Sequence, residues 1–527
     1  MLTTYVWIVS LGTWTDWPKA YDYHHYDQLA SAFMAGQLHL QQGPSAELLA
    51  LPNPYDPAQR GEMPYLIDAS LYEGRYYLYF SPLLALLLIP VKLLLPQTIH
   101  DIYLLFAFSC LLFLVQAAFL FRLRARFFPT VSIWLASLCV LVLGLSAPYT
   151  WVLGDSATPH DAAIAAGQMF FIAGLWLALE ALASTQARTR RSIGAGFLWA
   201  AAVASRLTQL FPIGLVLIFI LVHNARKRAK SGQPAISLRE VVPFALPVAL
   251  GVAVLGWYNW ARFGSVLQAG LYYQLAMLPI QQHFSDLFSL RYAPQGLYNY
   301  LLHRPLLLSE FPYIWSLAGS RSPVLPFVRL SPIYWAEENT GLIYMFPLAV
   351  FSILPFLGLG RSPTRPPGQA GLDDLLAWLQ KCLGWSFLLG LAIFATFFWT
   401  SNRYLLDFAP PLLILSMIGF WRVSEALRGQ PADRAAILYL GFALMVLTLV
   451  SSMLMTLAQD FESFGWLDPA IHFRRLVRRV LGPVLADEIQ RFFEDVREIG
   501  PALYIRRLVR QLLGPVITEQ VRGWLGR

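Results

Sequence analysis

Groups able to do chemistry are concentrated in one stretch of this chain. Between Thr15 and Phe80 stand Asp16, Asp22, His24, His25, Asp27, Asp56, Asp68 and Arg75, in a sequence otherwise made of long apolar runs. Asp22 lies in Tyr21-Asp22-Tyr23-His24-His25-Tyr26-Asp27, and the Leu29, Ala30, Phe33 and Met34 that follow are spaced as on a helix. A carboxylate there can act as a general base or stabilise positive charge developing on a sugar ring. Asp22 is therefore the first catalytic candidate, with Asp27 and Asp68 behind it. Asp68 reads equally well as a cap or turn residue, and Asp16 and Asp56 read as solvated. His24 and His25 are adjacent, so they point in different directions on any regular element and do not make a metal site together.

Two arginines extend the set. Arg403 lies in Trp399-Thr400-Ser401-Asn402-Arg403-Tyr404, a tight connection between two apolar runs. A guanidinium there can hold a phosphate through a planar pair of donors, or it can snorkel from a helix end. Arg206, in Ser205-Arg206-Leu207-Thr208, has the same two readings. An ionisable group close to membrane depth costs roughly 3 kcal/mol, so each one calls for a reason. In Gly154-Asp155-Ser156-Ala157-Thr158-Pro159-His160-Asp161, Asp161 reads first as a helix cap and, with His160, as a substrate contact. Arg75 and Tyr404 are further substrate-binding candidates.

The elements that must position these groups are mostly membrane spans. With 57% hydrophobic and 13% charged residues and a mean hydropathy of +0.52, the chain is far from a soluble domain, in which about a quarter of residues are charged. Its successive runs of about 17 to 25 apolar residues are long enough to cross a hydrocarbon core. The expected fold class is all-α, a polytopic helical bundle of about eleven spans with large outer loops carrying juxtamembrane helices. Spans are expected at 101–121, 131–152, 161–183, 193–223 as two short ones turning at Arg206, 241–259, 340–358, 378–399, 404–420 and 435–457, after a first one at the amino terminus. Residues 1–14 are short for a span and lack the basic region and cleavage site of a signal peptide. The stretch 83–96 is short and holds Pro90 and Lys92, so it should lie on the outer side without crossing.

The net charge of +8 comes largely from short loops such as Arg122–Arg126, Arg188–Arg191 and Arg226–Lys230, which orient spans with their basic ends toward the cytoplasm. It is not a nucleic-acid signature. By that rule the first outer loop, 15–80, and a second large one, 260–339, share a face with the turns at Asp161, Arg206 and Arg403. Cys110, Cys139 and Cys382 lie inside apolar runs and read as small core hydrophobes. Domain 1–457 is then the membrane part, and 458–527 a tail with an internal repeat: Arg474-Arg475-Leu476-Val477-Arg478 returns 32 residues later as Arg506-Arg507-Leu508-Val509-Arg510. Its spacing suggests amphipathic helices on the membrane surface.

Taken in order, these motifs resemble the GT-C superfamily of integral-membrane glycosyltransferases, including protein O-mannosyltransferases and lipid A aminoarabinose transferases. The residues that carry the likeness are Asp22 in its aromatic-acidic segment, Ala35-Gly36-Gln37-Leu38, Gly74-Arg75-Tyr76-Tyr77-Leu78-Tyr79-Phe80-Ser81-Pro82, Ala204-Ser205-Arg206, Asn259-Trp260-Ala261-Arg262-Phe263-Gly264-Ser265 and Arg403-Tyr404. The resemblance implies a transferase that moves a sugar, with inversion, from a polyprenyl-phosphate donor to a glycan, lipid or protein acceptor at the extracytoplasmic face of a bacterial inner membrane. It implies Asp22 as base or metal-linked acid, Asp161 or Asp155 as the acid of the second outer loop, and Arg403, with Arg206, on the lipid phosphate. A divalent cation, Mg or Mn, is the one cofactor it suggests. Tyr21-Asp22 replaces the paired acids common in the family and Ser81-Pro82 its double proline. The rival reading is a flippase or transporter of lipid-linked sugars, against which stands the lack of an inverted repeat of spans; a scaffold without activity is the third.

Overall fold

A computed structural model describes residues 1–10, 14, 17, 23–95, 97–154, 158–184, 186–234, 237–309, 312–354, 356–357 and 370–463. Asp16, Asp22, Asp155 and the repeated tail lie outside the described residues. Met1–Val9 and Pro18–Asp460 make one compact unit, to which the elements below belong save the last three residues of the final helix.

The first elements are short and built around α2. After α1 (Leu2–Val9), α2 (His25–Met34) follows the segment of Asp22. His24 provides no side-chain cap to α2. The buried carboxylate of Asp101 does so instead, accepting the N–H groups of His25 at 3.1 Å and Tyr26 at 3.3 Å. Small helices α3 (Ala46–Leu49) and α4 (Pro57–Arg60) are capped by Ser45 and Asp56. Asp56 is thus a cap residue, where the sequence suggested only a solvated acid. An antiparallel hairpin follows, β1 (Ala69–Tyr72) with β2 (Arg75–Leu78). Its two turn residues, Glu73 (φ 48°) and Gly74 (φ 70°), are both left-handed, as a type I′ hairpin turn requires. Then comes α5 (Leu83–Leu94), 12 residues and so about 18 Å long, well short of a bilayer core.

The long helices come next: α6 (Asp101–Phe127), α7 (Ile133–Gly144), α8 (Ala147–Gly154), α9 (Pro159–Ala183), α10 (Arg188–Ser205), α11 (Leu210–Lys230) and α12 (Val242–Phe263). Between α10 and α11 the chain breaks at Arg206, whose backbone is extended (φ −143°, ψ 108°), and passes through a 3-10 turn at Leu207–Gln209. The segment after α12 holds α13 (Ala293–Leu301) and the two-residue strands β3 (Leu306–Leu307), β4 (Ile314–Trp315), β5 (Leu317–Ala318), β6 (Trp335–Ala336) and β7 (Glu338–Asn339). It ends in α14 (Leu342–Met345), and α15 (Ala370–Ala395), β8 (Trp399–Thr400), α16 (Leu405–Ala426) and α17 (Pro431–Ser463) close the described chain.

Among the described residues eight segments are long and apolar enough to cross a membrane: 101–127, 133–154, 159–183, 207–230, 242–263, 371–395, 402–426 and 431–459. Three expected spans are not among them. The first is the eight-residue α1. The second is α10, helical for 18 residues but opening on Arg188-Thr189-Arg190-Arg191, whose charges lower its hydropathy. The third, 340–358, forms the single turn of α14 and a 3-10 segment at Pro347–Ser352, because Gly341 and Pro347 break up the helical run.

Burial sorts the helices. The most apolar window of α16 is entirely buried, whereas those of α12 and α17 are 22% and 28% buried. Leu246, Leu250, Val254, Trp257 and Trp260 stand exposed along α12, which suits contact with lipid chains that are as apolar as the side chains. Small residues bring the inner helices together. A Cβ on Gly196 of α10 would collide with the Phe244 carbonyl and the Pro247 ring of α12, and one on Gly174 of α9 with the Trp199 indole of α10. The cysteines are free, with Cys139 and Cys382 buried and Cys110 half-buried.

Candidate functional site

Polar groups from five separate places converge beside the first turns of α9 and α16. The β1–β2 hairpin starts at Asp68, held left-handed at φ 61°, a conformation that an aspartate tolerates better than most residues. The second large loop is stitched to this hairpin: Leu275 donates its N–H to the Ala69 carbonyl at 2.9 Å and Ser70 Oγ donates to the Gly270 carbonyl at 3.0 Å. Gln274 is thereby placed with its amide nitrogen 2.7 Å from Asp68 Oδ1 and 3.4 Å from the Tyr79 hydroxyl oxygen. Tyr79 in turn lies 2.5 Å from His160 Nε2, and the Phe80 ring stands edge-on to the same imidazole, centroids 4.4 Å apart.

Gln274 donates to the Tyr79 oxygen, and the direction of the Tyr79–His160 hydrogen bond follows the imidazole tautomer. His160 Nδ1 is buried and has no partner among the protein atoms. Burial also raises the Asp68 carboxyl above its ordinary range; the Gln274 hydrogen bond and the Arg403 charge oppose the shift and Glu337 adds to it. Burial raises the Tyr79 phenol well above its usual value.

The two arginines arrive from helix breaks. Arg403 follows Ser401, whose Oγ accepts from both its backbone N–H and its Nε at 3.4 and 3.1 Å. Glu337 is brought to it by the parallel pairing of β6 with β8, in which the Glu337 N–H donates to the Thr400 carbonyl at 2.9 Å. Arg403 Nη2 then reaches both Glu337 carboxylate oxygens, at 2.6 and 2.5 Å. Arg206 pairs bidentately with Asp407, Nε to Oδ1 at 3.2 Å and Nη2 to Oδ2 at 2.7 Å. Its guanidinium also stands over the Tyr404 and Phe394 rings, at 5.8 and 5.9 Å. Both arginine charges act on His160, so the three cationic or proton-bearing groups share one neighbourhood.

The expected residues therefore separate. Asp68, His160, Arg206, Arg403 and Tyr404 come together. Asp27 is engaged elsewhere: it accepts from Lys92 Nζ at 2.5 Å and from the Ile99 N–H at 3.1 Å, tying α2 to α5 and its exit. Asp161 forms a capping box with Thr158, accepting its N–H at 2.9 Å and its hydroxyl at 2.7 Å, the cap reading favoured by the sequence. Arg75 stands exposed at the turn of the hairpin opposite Tyr72. Gln274, Tyr79, Glu337 and Asp407 are the additions. Asp407 could have been found, since an acid four residues after Arg403 inside an apolar run needs a partner. Glu337 and Gln274 carry no such signal, because loop polar residues are common. Among the described residues no three His, Cys, Asp or Glu side chains are grouped to hold a metal ion.

No protein-family model matches the chain, and no curated protein matches it. Solved structures of an oligosaccharyltransferase from Archaeoglobus fulgidus do: the apo form at TM-score 0.47 and 13% identity over 90% of this chain, and the AglB complex with an inhibitory peptide and a dolichol-phosphate at 0.44 and 11% over 88%. The chain spans 57% and 55% of their lengths.

Proposed function

We propose that the protein is a membrane glycosyltransferase of GT-C type, which moves a sugar from a polyprenyl-phosphate donor to an acceptor hydroxyl at the extracytoplasmic face. The observation that carries this reading is the meeting of Arg206 and Arg403, each at a helix break, with His160, Tyr79 and Asp68 in one largely buried cluster. Two arginines fit a phosphate whose negative charge grows as its bond to the sugar breaks, and in a partly dry site such preorganised charges act strongly on the transition state.

In this mechanism the acceptor oxygen attacks the anomeric carbon from the face opposite the phosphate. The carbon–oxygen bond to the phosphate breaks, configuration inverts, and the acceptor proton passes to a carboxylate. Asp22 is assigned as that base from its motif, and Asp68, whose carboxyl burial raises above its ordinary range, holds the sugar beside Arg403. Asp27 and Asp161 take structural roles.

The test is transfer of labelled sugar from a synthetic polyprenyl-phosphate donor by the protein in liposomes, with donor translocation measured in parallel. Asp22→Asn and Arg403→Ala should each lower transfer by about 100-fold or more with unchanged thermal unfolding. Near-normal transfer in Asp22→Asn removes it from the mechanism, and donor translocation without any transfer by the wild type favours the flippase reading.

A further inference from the structure

The helix ends remote from this cluster enclose a second feature, a cavity of about 520 Å³. It lies among the carboxyl-terminal ends of α6, α9 and α11 and the first turns of α15. Helix α9 carries His160 in its first turn and Leu182 beside its last residue, so about 33 Å of helix separates the two places.

The charge of the lining is one-sided. Arg126, Arg226, Lys227, Lys230 and Lys381 face a single acid, Asp374, which pairs with Lys230 at 3.0 Å. An occupant that balances this excess is an anion. Part of the wall is apolar, formed by Phe219, Val222 and Leu375.

We infer that this cavity binds the phosphate of an anionic membrane lipid, with oxyanion oxygens on Arg226 and the lysines and the upper part of an acyl chain along Phe219 and Val222. Basic pockets between spans at their positively charged ends are suited to lipid headgroups. The shared chemistry is a phosphate oxyanion, and the apolar wall favours a lipid over a soluble phosphate as its source. The inference is independent of the proposed glycosyl transfer.

Native mass spectrometry of the full chain in detergent tests it, with dioleoyl phosphatidylglycerol, dioleoylglycerol and inorganic phosphate as probes. The first phosphatidylglycerol should bind at least about tenfold more tightly than dioleoylglycerol. Arg226→Gln combined with Lys227→Gln should weaken it by about tenfold and Lys381→Gln, at an exposed position, by about threefold, with dioleoylglycerol unaffected. Equal binding of the two lipids, or variants that hold phosphatidylglycerol as the wild type does, would overturn the inference. Displacement by millimolar inorganic phosphate would overturn the lipid source.

Discussion

Arg403 is proposed to hold a phosphate, yet in this structure its guanidinium lies against Glu337 at 2.5 Å. A phosphate and a carboxylate compete for the same planar pair of donors, so the donor must displace Glu337 or share the arginine with it. The pair is partly exposed, with side chains at 16% and 26%, and contributes little stability of its own. Glu337→Gln should therefore leave thermal unfolding within about 0.5 kcal/mol of the wild type while lowering KM for the phosphate donor several-fold. A raised KM in steady-state transfer assays would instead make Glu337 part of the binding site. His25 offers a separate check by pH. Burial lowers its pKa from 6.5 to about 4, so below pH 6.5 the unfolded chain takes up a proton that the folded chain refuses. Stability is complete above about pH 6.5 and is lost as pH falls toward 4, by at most about 3 kcal/mol. His25→Gln should flatten that acid decline in thermal unfolding measured between pH 7 and 4.

At the scale of elements, the break between α10 and α11 depends on one ion pair. Arg206 leaves helical geometry and its side chain reaches Asp407 in the first turn of α16, whose carboxylate is fully buried. Gln168 of α9 and Gln209 both donate to the Asp407 backbone carbonyl, so three elements meet on this residue. Removing one partner of a buried pair leaves the other uncompensated. Asp407→Asn should cost about 3 kcal/mol in denaturant unfolding, whereas Arg206→Met with Asp407→Leu should recover most of it. A cost near zero for the single substitution would show that Arg206 is satisfied by water and its aromatic neighbours alone.

For the whole molecule, the sidedness assumed in the proposed function rests on charge. The last turns of α6 and α11 are basic and lie at the end of α9 remote from His160, and the proposed function takes such short basic segments as cytoplasmic. Gln41 and Ser231 are exposed at the two ends. In intact cells a membrane-impermeant maleimide should label Gln41→Cys and not Ser231→Cys, and lysis should make both reactive. The opposite pattern would put the cluster on the cytoplasmic side and end the extracytoplasmic reading.

Spans and apolar helices were legible from the sequence because hydropathy over about 20 residues reports the cost of burying a polar backbone in lipid, a local quantity. The break at Arg206, the short α5 and the cap at Asp161 were legible for the same reason, each being set by neighbours within a turn or two. What local sequence does not contain is which distant groups meet. Asp27, in the first turn of α2, and Asp68, just before β1, are both acids of the stretch 15–80, yet tertiary packing gave one to Lys92 and the other to Gln274 and the field of Arg403. The expected span at 340–358 failed likewise, since apolar content cannot distinguish a lipid-crossing helix from a short buried segment interrupted by glycine and proline. The sequence by itself determined a helical membrane chain and the residue types able to handle a sugar phosphate. Only the tertiary structure decided which of them lie together, because an ion pair or a hydrogen bond is formed by proximity in space, and residues such as Arg206 and Asp407 lie 201 positions apart.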